Sequence, residues 1–349
     1  MQFEFVYDLE PIKKTQWQDF MNSLELRPIE QDIEWPSLEA APLRYCYFTA
    51  TEEGKIVCSA IILENKKGIF KWANIQFGPL FRKADDLIES LRSIHRHYSE
   101  KGLIFCTVQL AIQTGTITDY VEYKLNRLLK IKYRFDRENW SSLIVPLKST
   151  DEEIFSRFSK GHKADIKKAL KNRIRVVHSK SIDDFQEFRK LFLRMHRTRG
   201  LQLDEALTAG FLERVFVFLD KENRGKLLLV KDSGDRILGG VIIVFQGHSV
   251  RYFKGTSDPD YRYLPVLHLA IWEAIRLSKA EGFEYFDLWG YNHFVNESDQ
   301  VFFINRFKKG FGGEFIFYPK KIYFLFKPLR YQLFSKLKML RDKIKRNRN

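Results

Sequence analysis

The residues of this sequence whose types and spacing bear on chemistry are mostly basic. Lys160, His162, Lys163, Lys167, Lys168, Lys171, Arg173 and Arg175 lie within one short stretch. Lys163, Lys167 and Lys171 recur at intervals of four, so a helix gathers them into one stripe, which reads equally as solvated surface or as a track for phosphates. A second concentration lies at the end of the chain. Between Lys320 and Asn349 eleven Lys or Arg face the single acid Asp342, within a net charge of +15 for the whole sequence. A field of one sign fits a polyanionic partner: nucleic acid, a phosphorylated substrate or an anionic membrane surface. Other chemistries lack their residues. The eight histidines are scattered without ligand spacing, and Cys46, Cys58 and Cys106 form no Cys-x-x-Cys pair, so no metal site is expected. The cysteines read as buried small hydrophobes. There is no nucleophile elbow, phosphate loop or dinucleotide fingerprint.

The elements that must position such residues occur twice. Tyr45–Thr51 and Ile56–Leu63 flank a turn at Glu52-Glu53-Gly54-Lys55, just as Leu227–Val230 and Ile237–Phe245 flank one at Asp232–Arg236. Each hairpin is followed by a helical pattern ending in glycine and by a short apolar strand. Asp85–Gly102 leads to Leu103–Gln109, and Pro265–Gly282 leads to Phe283–Trp289. The interval from Gly54 to Gly234 equals the interval from Gly102 to Gly282, so the copies run without net insertion between those points. The repetition predicts two similar α/β domains with mixed strand directions, as does a length of 349 residues.

The boundary is expected at Lys148–Asp151, where Ser149-Thr150-Asp151-Glu152-Glu153 supplies a helix cap and acids for a first turn. Residues 1–147 then form the first domain and 148–317 the second, with 318–349 packing back on the first. Further helices are expected over Trp17–Leu26, Thr118–Lys130, Asp183–Arg197 and Leu207–Leu219, and strands over Ser142–Leu147 and Glu314–Tyr318. Tyr291–Gln300 reads as a polar loop. In the tail, Tyr331, Phe334, Leu337, Leu340 and Ile344 are expected on one face of a helix that caps the first domain or lies on anionic lipid. No window is apolar enough for a membrane span, and Met1–Phe5 carries no signal-peptide pattern, so a cytoplasmic chain is expected, peripheral at the inner membrane face if the tail binds lipid.

The order hairpin, strand, helix, strand in each copy resembles the acyltransferase fold of the GNAT superfamily. That family holds the pyrophosphate of coenzyme A in a glycine-bearing turn before the central helix. Here Tyr261-Arg262-Tyr263-Leu264-Pro265-Val266 and Phe81-Arg82-Lys83-Ala84-Asp85 have no glycine. Two such domains without that turn resemble the FemABX family, which transfers amino acids from aminoacyl-tRNA to peptidoglycan precursors. The likeness rests on Gln31-x-x-x-Trp35, the basic helix Phe158–Ala169, Tyr252-Phe253-Lys254-Gly255-Thr256-Ser257, Tyr285-Phe286-Asp287-Leu288-Trp289-Gly290, and Phe307-Lys308-Lys309-Gly310-Phe311-Gly312-Gly313, in that order. Where some members carry a lysine after the first Trp to meet nucleotide phosphates, Glu39 stands here.

This resemblance implies two tandem GNAT-like domains with mixed, mostly antiparallel sheets and a C-terminal helix. It implies an aminoacyltransferase that uses aminoacyl-tRNA as co-substrate, with no other cofactor, and a lipid-linked or nucleotide-linked muropeptide as acceptor. Lys308 becomes the candidate cation for the tRNA end or the oxyanion, oriented by Phe307. Asp287 becomes a candidate acceptor of the amine proton, against the alternative of fixing a loop. Tyr252 and Lys254 become candidates for the acceptor channel, against ordinary sheet packing, and Arg251, Arg262 and Lys163 for phosphate contacts. Two rivals stay open: an acyl-CoA-dependent N-acyltransferase of the same fold, and a non-catalytic protein of this fold that binds RNA or membrane.

Overall fold

The computed structural model describes residues 1–39, 43–111, 116–127, 133–135, 141–200 and 203–347. The chain divides into two compact units. Met1–Pro36, Ala41–Asn139 and Tyr318–Asn349 make the first; Ser37–Ala40 and Trp140–Phe317 make the second.

The first unit begins with β1 (Gln2–Val6), α1 (Pro11–Asn22) and a single turn, α2 (Trp35–Leu38). Then come β2 (Arg44–Glu52), β3 (Lys55–Lys67), β4 (Phe70–Gln76), β5 (Leu80–Phe81), α3 (Ala84–Glu100), β6 (Phe105–Gln109), α4 (Thr116–Arg127) and β7 (Tyr133–Phe135). The second unit holds β8 (Ser141–Pro146), α5 (Asp151–Ser156), α6 (Lys160–Lys171), β9 (Arg175–Ser179), α7 (Ile182–Thr198) and α8 (Glu205–Lys221). It continues with β10 (Gly225–Lys231), β11 (Ile237–Gln246), β12 (Ser249–Ser257), α9 (Val266–Ala280), β13 (Tyr285–Asp287), α10 (Gln300–Lys309) and β14 (Glu314–Phe317). The chain then returns to the first unit as β15 (Ile322–Leu325) and α11 (Pro328–Asn347). The first sheet runs β1-β2-β3-β4-β6-β15-β7, with β5 beside β3, and the second runs β14-β8-β13-β12-β11-β10-β9.

The two copies are the segments β2 to β6 and β10 to β13. In each, a hairpin and a third antiparallel strand are followed by a helix, and the last strand lies parallel to the third: β6 to β4 and β13 to β12. Matching glycines close the two helices. Gly102 and Gly282 adopt left-handed φ of 72° and 86°. That conformation, free of cost for glycine, lets Leu103 N–H donate to Tyr98 O at 3.3 Å and Phe283 N–H to Ser278 O at 3.1 Å.

Each helix packs through one apolar face. Leu87, Leu91, Ile94 and Tyr98, spaced by four, three and four, bury α3 against Cys46, Phe48, Cys58, Ile62, Cys106 and Phe324. Leu269, Trp272 and Ile275 do the same for α9 against Leu228, Val241, Ile243, Val250 and Phe286. The three cysteines are free and buried, and burial pushes the Cys58 thiol up to about 12. Gln31 is a clamp inside the first unit: its side chain accepts from Ile61 N–H at 2.8 Å and donates to Gln76 O at 2.7 Å.

Two expectations shift, the domain boundary and the face of α11. The strand expected to close the first domain, β8, belongs to the second sheet, where it pairs with β13 and β14, so the boundary falls before residue 148. Both partners lie beyond the whole hairpin of the second copy, out of the reach of local pattern. The stretch after the polar loop, to which the sequence pattern assigns no element, forms α10, whose crowded apolar residues Val301, Phe302, Phe303 and Ile304 mask a helical period. Helix α4 is described over Thr116–Arg127, and the remainder of the expected Thr118–Lys130 lies outside the described residues. In α11 the residues expected on one face do not share one. Tyr331 is buried while Leu337 and Leu340 are exposed. Steps of three at about 100° per residue drift by some 60° each, so Leu340 ends up opposite Tyr331.

Candidate functional site

The second sheet parts at a charged pair. Strands β12 and β13 are aligned over Ser249↔Tyr285, Val250↔Phe286 and Arg251↔Asp287. Beyond that pair β13 ends, whereas β12 continues to Ser257 with β11 on its other side. A register slip between Ile242↔Lys254 and Ile243↔Tyr252 makes Phe253 an extra residue at the parting, a bulge of the kind that bends a strand. Val250 and Phe286 face the α9 core, so their neighbours Arg251 and Asp287 point to the opposite face.

Three ionisable side chains converge on that face, and all are buried. Arg251, at 2% exposure, donates from Nε to Gln246 Oε1 at 2.8 Å, and its guanidinium lies 3.4 Å from the Trp289 ring centroid. Asp287 Oδ1 accepts from the Ser142 hydroxyl and, at 2.7 Å, from Trp289 N–H. Burial raises the Asp287 carboxyl above its ordinary range, opposed by Ser142, Arg251, the Trp289 amide and Lys308. Lys308, at 9% exposure, donates from Nζ to the carbonyl oxygens of Trp289 and, at 2.8 Å, Gly290. Burial lowers its ammonium from 10.5 to about 8, with Asp287 pulling the other way.

The backbone that presents these carbonyls is strained. Trp289 and Gly290 both take left-handed φ, 54° and 57°, a conformation that costs a tryptophan roughly 1–3 kcal/mol. The Asp287 carboxylate holds the turn by capping Trp289 N–H, and Lys308 holds it from the other side.

Helix α10 carries Lys308 and is itself anchored by histidine. His162 Nε2 meets the Phe307 carbonyl at 2.8 Å, so Nε2 carries the proton and Nδ1 is left to accept from the Ser159 hydroxyl at 3.1 Å. The Phe307 ring packs edge-on against His268 and Phe311, with centroids 5.0 and 5.3 Å apart. Burial and the neighbouring His162 keep His268 neutral, lowered to about 4. Gly310 lies so close to the His162 ring that a Cβ there would collide with it.

The sequence-derived candidates therefore separate. Lys308, Asp287 and Arg251 come together; Phe307 stands behind them, tying α10 to α6. Tyr252 packs against the α9 core, its hydroxyl raised to about 12 by burial, and its ring covers Gly255. Lys254 lies on β12 past the parting, its ammonium lowered by burial. Arg262 is exposed on the turn before α9, and Lys163 donates to Ser156 O at 3.1 Å, tying α6 to α5. Sequence reasoning passed over Ser142, Trp289 and the anchoring role of His162. The order Asp287, Trp289, Gly290 does carry a signal, an acidic side chain capping two residues on before a glycine.

The first unit has the same strands without the chemistry. At the position of the first copy that matches Asp287 stands Thr107, whose aligned partner on β4 is Asn74, and the two share a neutral hydrogen bond of 2.8 Å. There β4 and β6 stay paired to their ends at Gln76↔Gln109, so no parting opens.

The comparisons with known proteins follow this division. A family model described as an acetyltransferase (GNAT) domain matches residues 156–308, inside the second unit. Among solved structures the chain is similar to FemX, with a TM-score of 0.80 at 14% identity over 95% of this chain and 99% of that one. The fold is a tandem GNAT fold. L-PGS from Bacillus licheniformis shares it with a TM-score of 0.60 at 12% identity, covering 94% of this chain and 96% of that one. So does a tandem GNAT protein from the clavulanic acid biosynthesis pathway, with a TM-score of 0.55 at 10% identity over 93% and 99%. No curated protein matches the chain.

Proposed function

We propose that the second unit transfers an aminoacyl group from aminoacyl-tRNA to an amine of a peptidoglycan precursor. The observation that carries this reading is the buried Lys308 ammonium, fixed on the Trp289 and Gly290 carbonyls where β12 and β13 part. An ammonium has three donors, and the described residues take two. An aminoacyl ester is already activated. The acceptor amine adds to its carbonyl carbon, the electron pair moves to the oxygen, and the tetrahedral intermediate collapses with loss of the ribose hydroxyl, which takes up the proton the amine gives away. A cation already in place stabilises that oxyanion without reorganising.

Arg251 and Lys308 against Asp287 sum to one net positive charge among the three groups, a state that an anionic intermediate neutralises. Asp287, with Oδ1 engaged twice, acts here as a positioning residue for the Trp289–Gly290 turn rather than as the proton acceptor. Phe307 positions Lys308 through the α6 anchor.

Aminoacyl-tRNA is preferred to acyl-CoA as donor because the turn before α9 lacks glycine and its last two positions, Pro265 and Val266, offer no free amide. Pro265 has no N–H, and Val266 N–H already donates to Leu264 O at 2.9 Å, which removes donors a pyrophosphate needs. The test is transfer of label from a pool of charged tRNA to lipid-linked and nucleotide-linked muropeptides, wild type against Lys308→Ala. Transfer that falls by about 10²–10³ in the variant supports the reading. Absence of transfer from tRNA together with transfer from an acyl-CoA overturns it.

A further inference from the structure

Helix α11 leaves the first unit with only its base seated. Tyr331 packs on Phe105 with centroids 5.1 Å apart, and Phe334 on Trp72 and Phe70 at 4.9 and 5.5 Å. Lys327 Nζ fixes the approach by donating to Gly102 O at 2.9 Å. From Lys336 to Arg341 every residue is exposed, so this part of the helix runs on outside the core of the unit.

The exposed part is patterned. Leu329, Leu333, Leu337 and Leu340 are 80%, 50%, 48% and 57% exposed. At about 100° per residue they fall within one arc of about 80°, away from the arc of Tyr331 and Phe334. Lys336 borders the arc on one side and Arg330 and Arg341 on the other, with Lys338 further round. In the sequence Lys343, Lys345, Arg346 and Arg348 follow, with Asp342 the single acid from Lys320 onward.

We propose that α11 docks the protein on an anionic lipid surface, its leucine stripe entering the interface and its flanking cations meeting the headgroups. Two features select a bilayer. A stripe of four leucines gains nothing on RNA, which offers charge without an apolar phase, and a single-sign border suits a surface that is anionic everywhere. Lysine and arginine stems beside such a stripe cover apolar surface while their heads reach the phosphates. The basic cleft of this unit lies beside the seat of the helix. Arg44, Lys66, Lys71 and Lys101 line a cavity of about 530 Å³ with Glu64, which pairs with Arg44 and Lys101, and with Trp72, the residue on which Phe334 rests. This proposal is independent of the transfer reaction.

The test is co-sedimentation of the full chain with vesicles of phosphatidylglycerol and phosphatidylcholine in equal parts, and with phosphatidylcholine alone, at low and at high salt. Retention on heparin is measured in parallel as a probe of charge without an apolar phase. The wild type is expected to partition at least tenfold better onto the anionic vesicles, and less so at high salt. Leu333→Asn, Leu337→Asn and Leu340→Asn together should lower that partition at least tenfold while heparin retention stays unchanged. Leu337→Ser alone, at an exposed position that leaves Tyr331 and Phe334 seated and every cation in place, gives the same comparison should the triple variant misfold. Equal partition onto both vesicles, a leucine variant that binds as the wild type does, or a leucine-dependent dimer without vesicle binding would each overturn the proposal.

Discussion

Lys308 should make activity and stability move in opposite directions as pH rises. Its ammonium, lowered by burial to about 8, is held on two carbonyls and is roughly nine-tenths charged at pH 7. If the cation stabilises the oxyanion, kcat/KM falls tenfold per pH unit above that value and is about thirtyfold below its plateau at pH 9.5. The folded state behaves the other way. Between about 8 and 10.5 the folded chain has released a proton that the unfolded chain still binds, so this group makes stability rise with pH across that window. The full fall is worth about 3 kcal/mol at ~1.4 kcal/mol per tenfold change in proton affinity. The assay is transfer between pH 6.5 and 9.5, corrected for spontaneous hydrolysis of the donor ester, beside urea unfolding of wild type and Lys308→Met over pH 7–10.5. Lys308→Arg stays charged throughout and should lose the alkaline limb, whatever its plateau. A wild-type plateau that persists to pH 9.5, or an alkaline limb unchanged in Lys308→Arg, would refute the assignment of the cation.

Three further outcomes follow from the packing of the two units. Asp287→Asn leaves Arg251 and Lys308 buried without their carboxylate and should cost about 3–5 kcal/mol in urea unfolding, with the alkaline limb of activity moving to lower pH. Gly310→Ala drives a methyl into the His162 ring, which should cost about 1–3 kcal/mol and loosen the Phe307 anchor, seen as a lower Tm and a lower kcat together. Gln31→Ala strips the buried clamp from Ile61 N–H and Gln76 O and should destabilise the first unit by about 2–3 kcal/mol, read as a split in the thermal transition.

The duplication was legible in the sequence because each copy writes its hairpin, helix and strand in local periods, with Gly102 and Gly282 as matching stops. What local pattern could not show was partnership at a distance. Strand β8 reads as the end of one domain until its partners β13 and β14 are known. The α11 face failed for a geometric reason, since a run of i+3 steps circles the helix. At the site, Lys308 and Asp287 were nameable from motif. Their burial, which makes one a perturbed cation and the other a brace, follows from α10 folding over the parting of β12 and β13. The basic stripe of α6 concealed His162, because a histidine among lysines looks solvated until the Phe307 carbonyl is seen above it.

The return of β15 into the first sheet, between β6 and β7, also sets an order of assembly. Strand β6 is flanked by β4 on one side and by β15 on the other, yet the chain of the second unit, Trp140–Phe317, is made between Gln109 and Ile322. At ~5–20 residues per second of synthesis, the outer edge of β6 waits roughly 10–40 s for its partner. The second unit, apart from the short Ser37–Ala40 segment, is continuous and has all its strands by then. It is thus complete on the ribosome while the unit that precedes it in the gene still shows an open strand edge, the kind that recruits chaperones or neighbouring nascent chains.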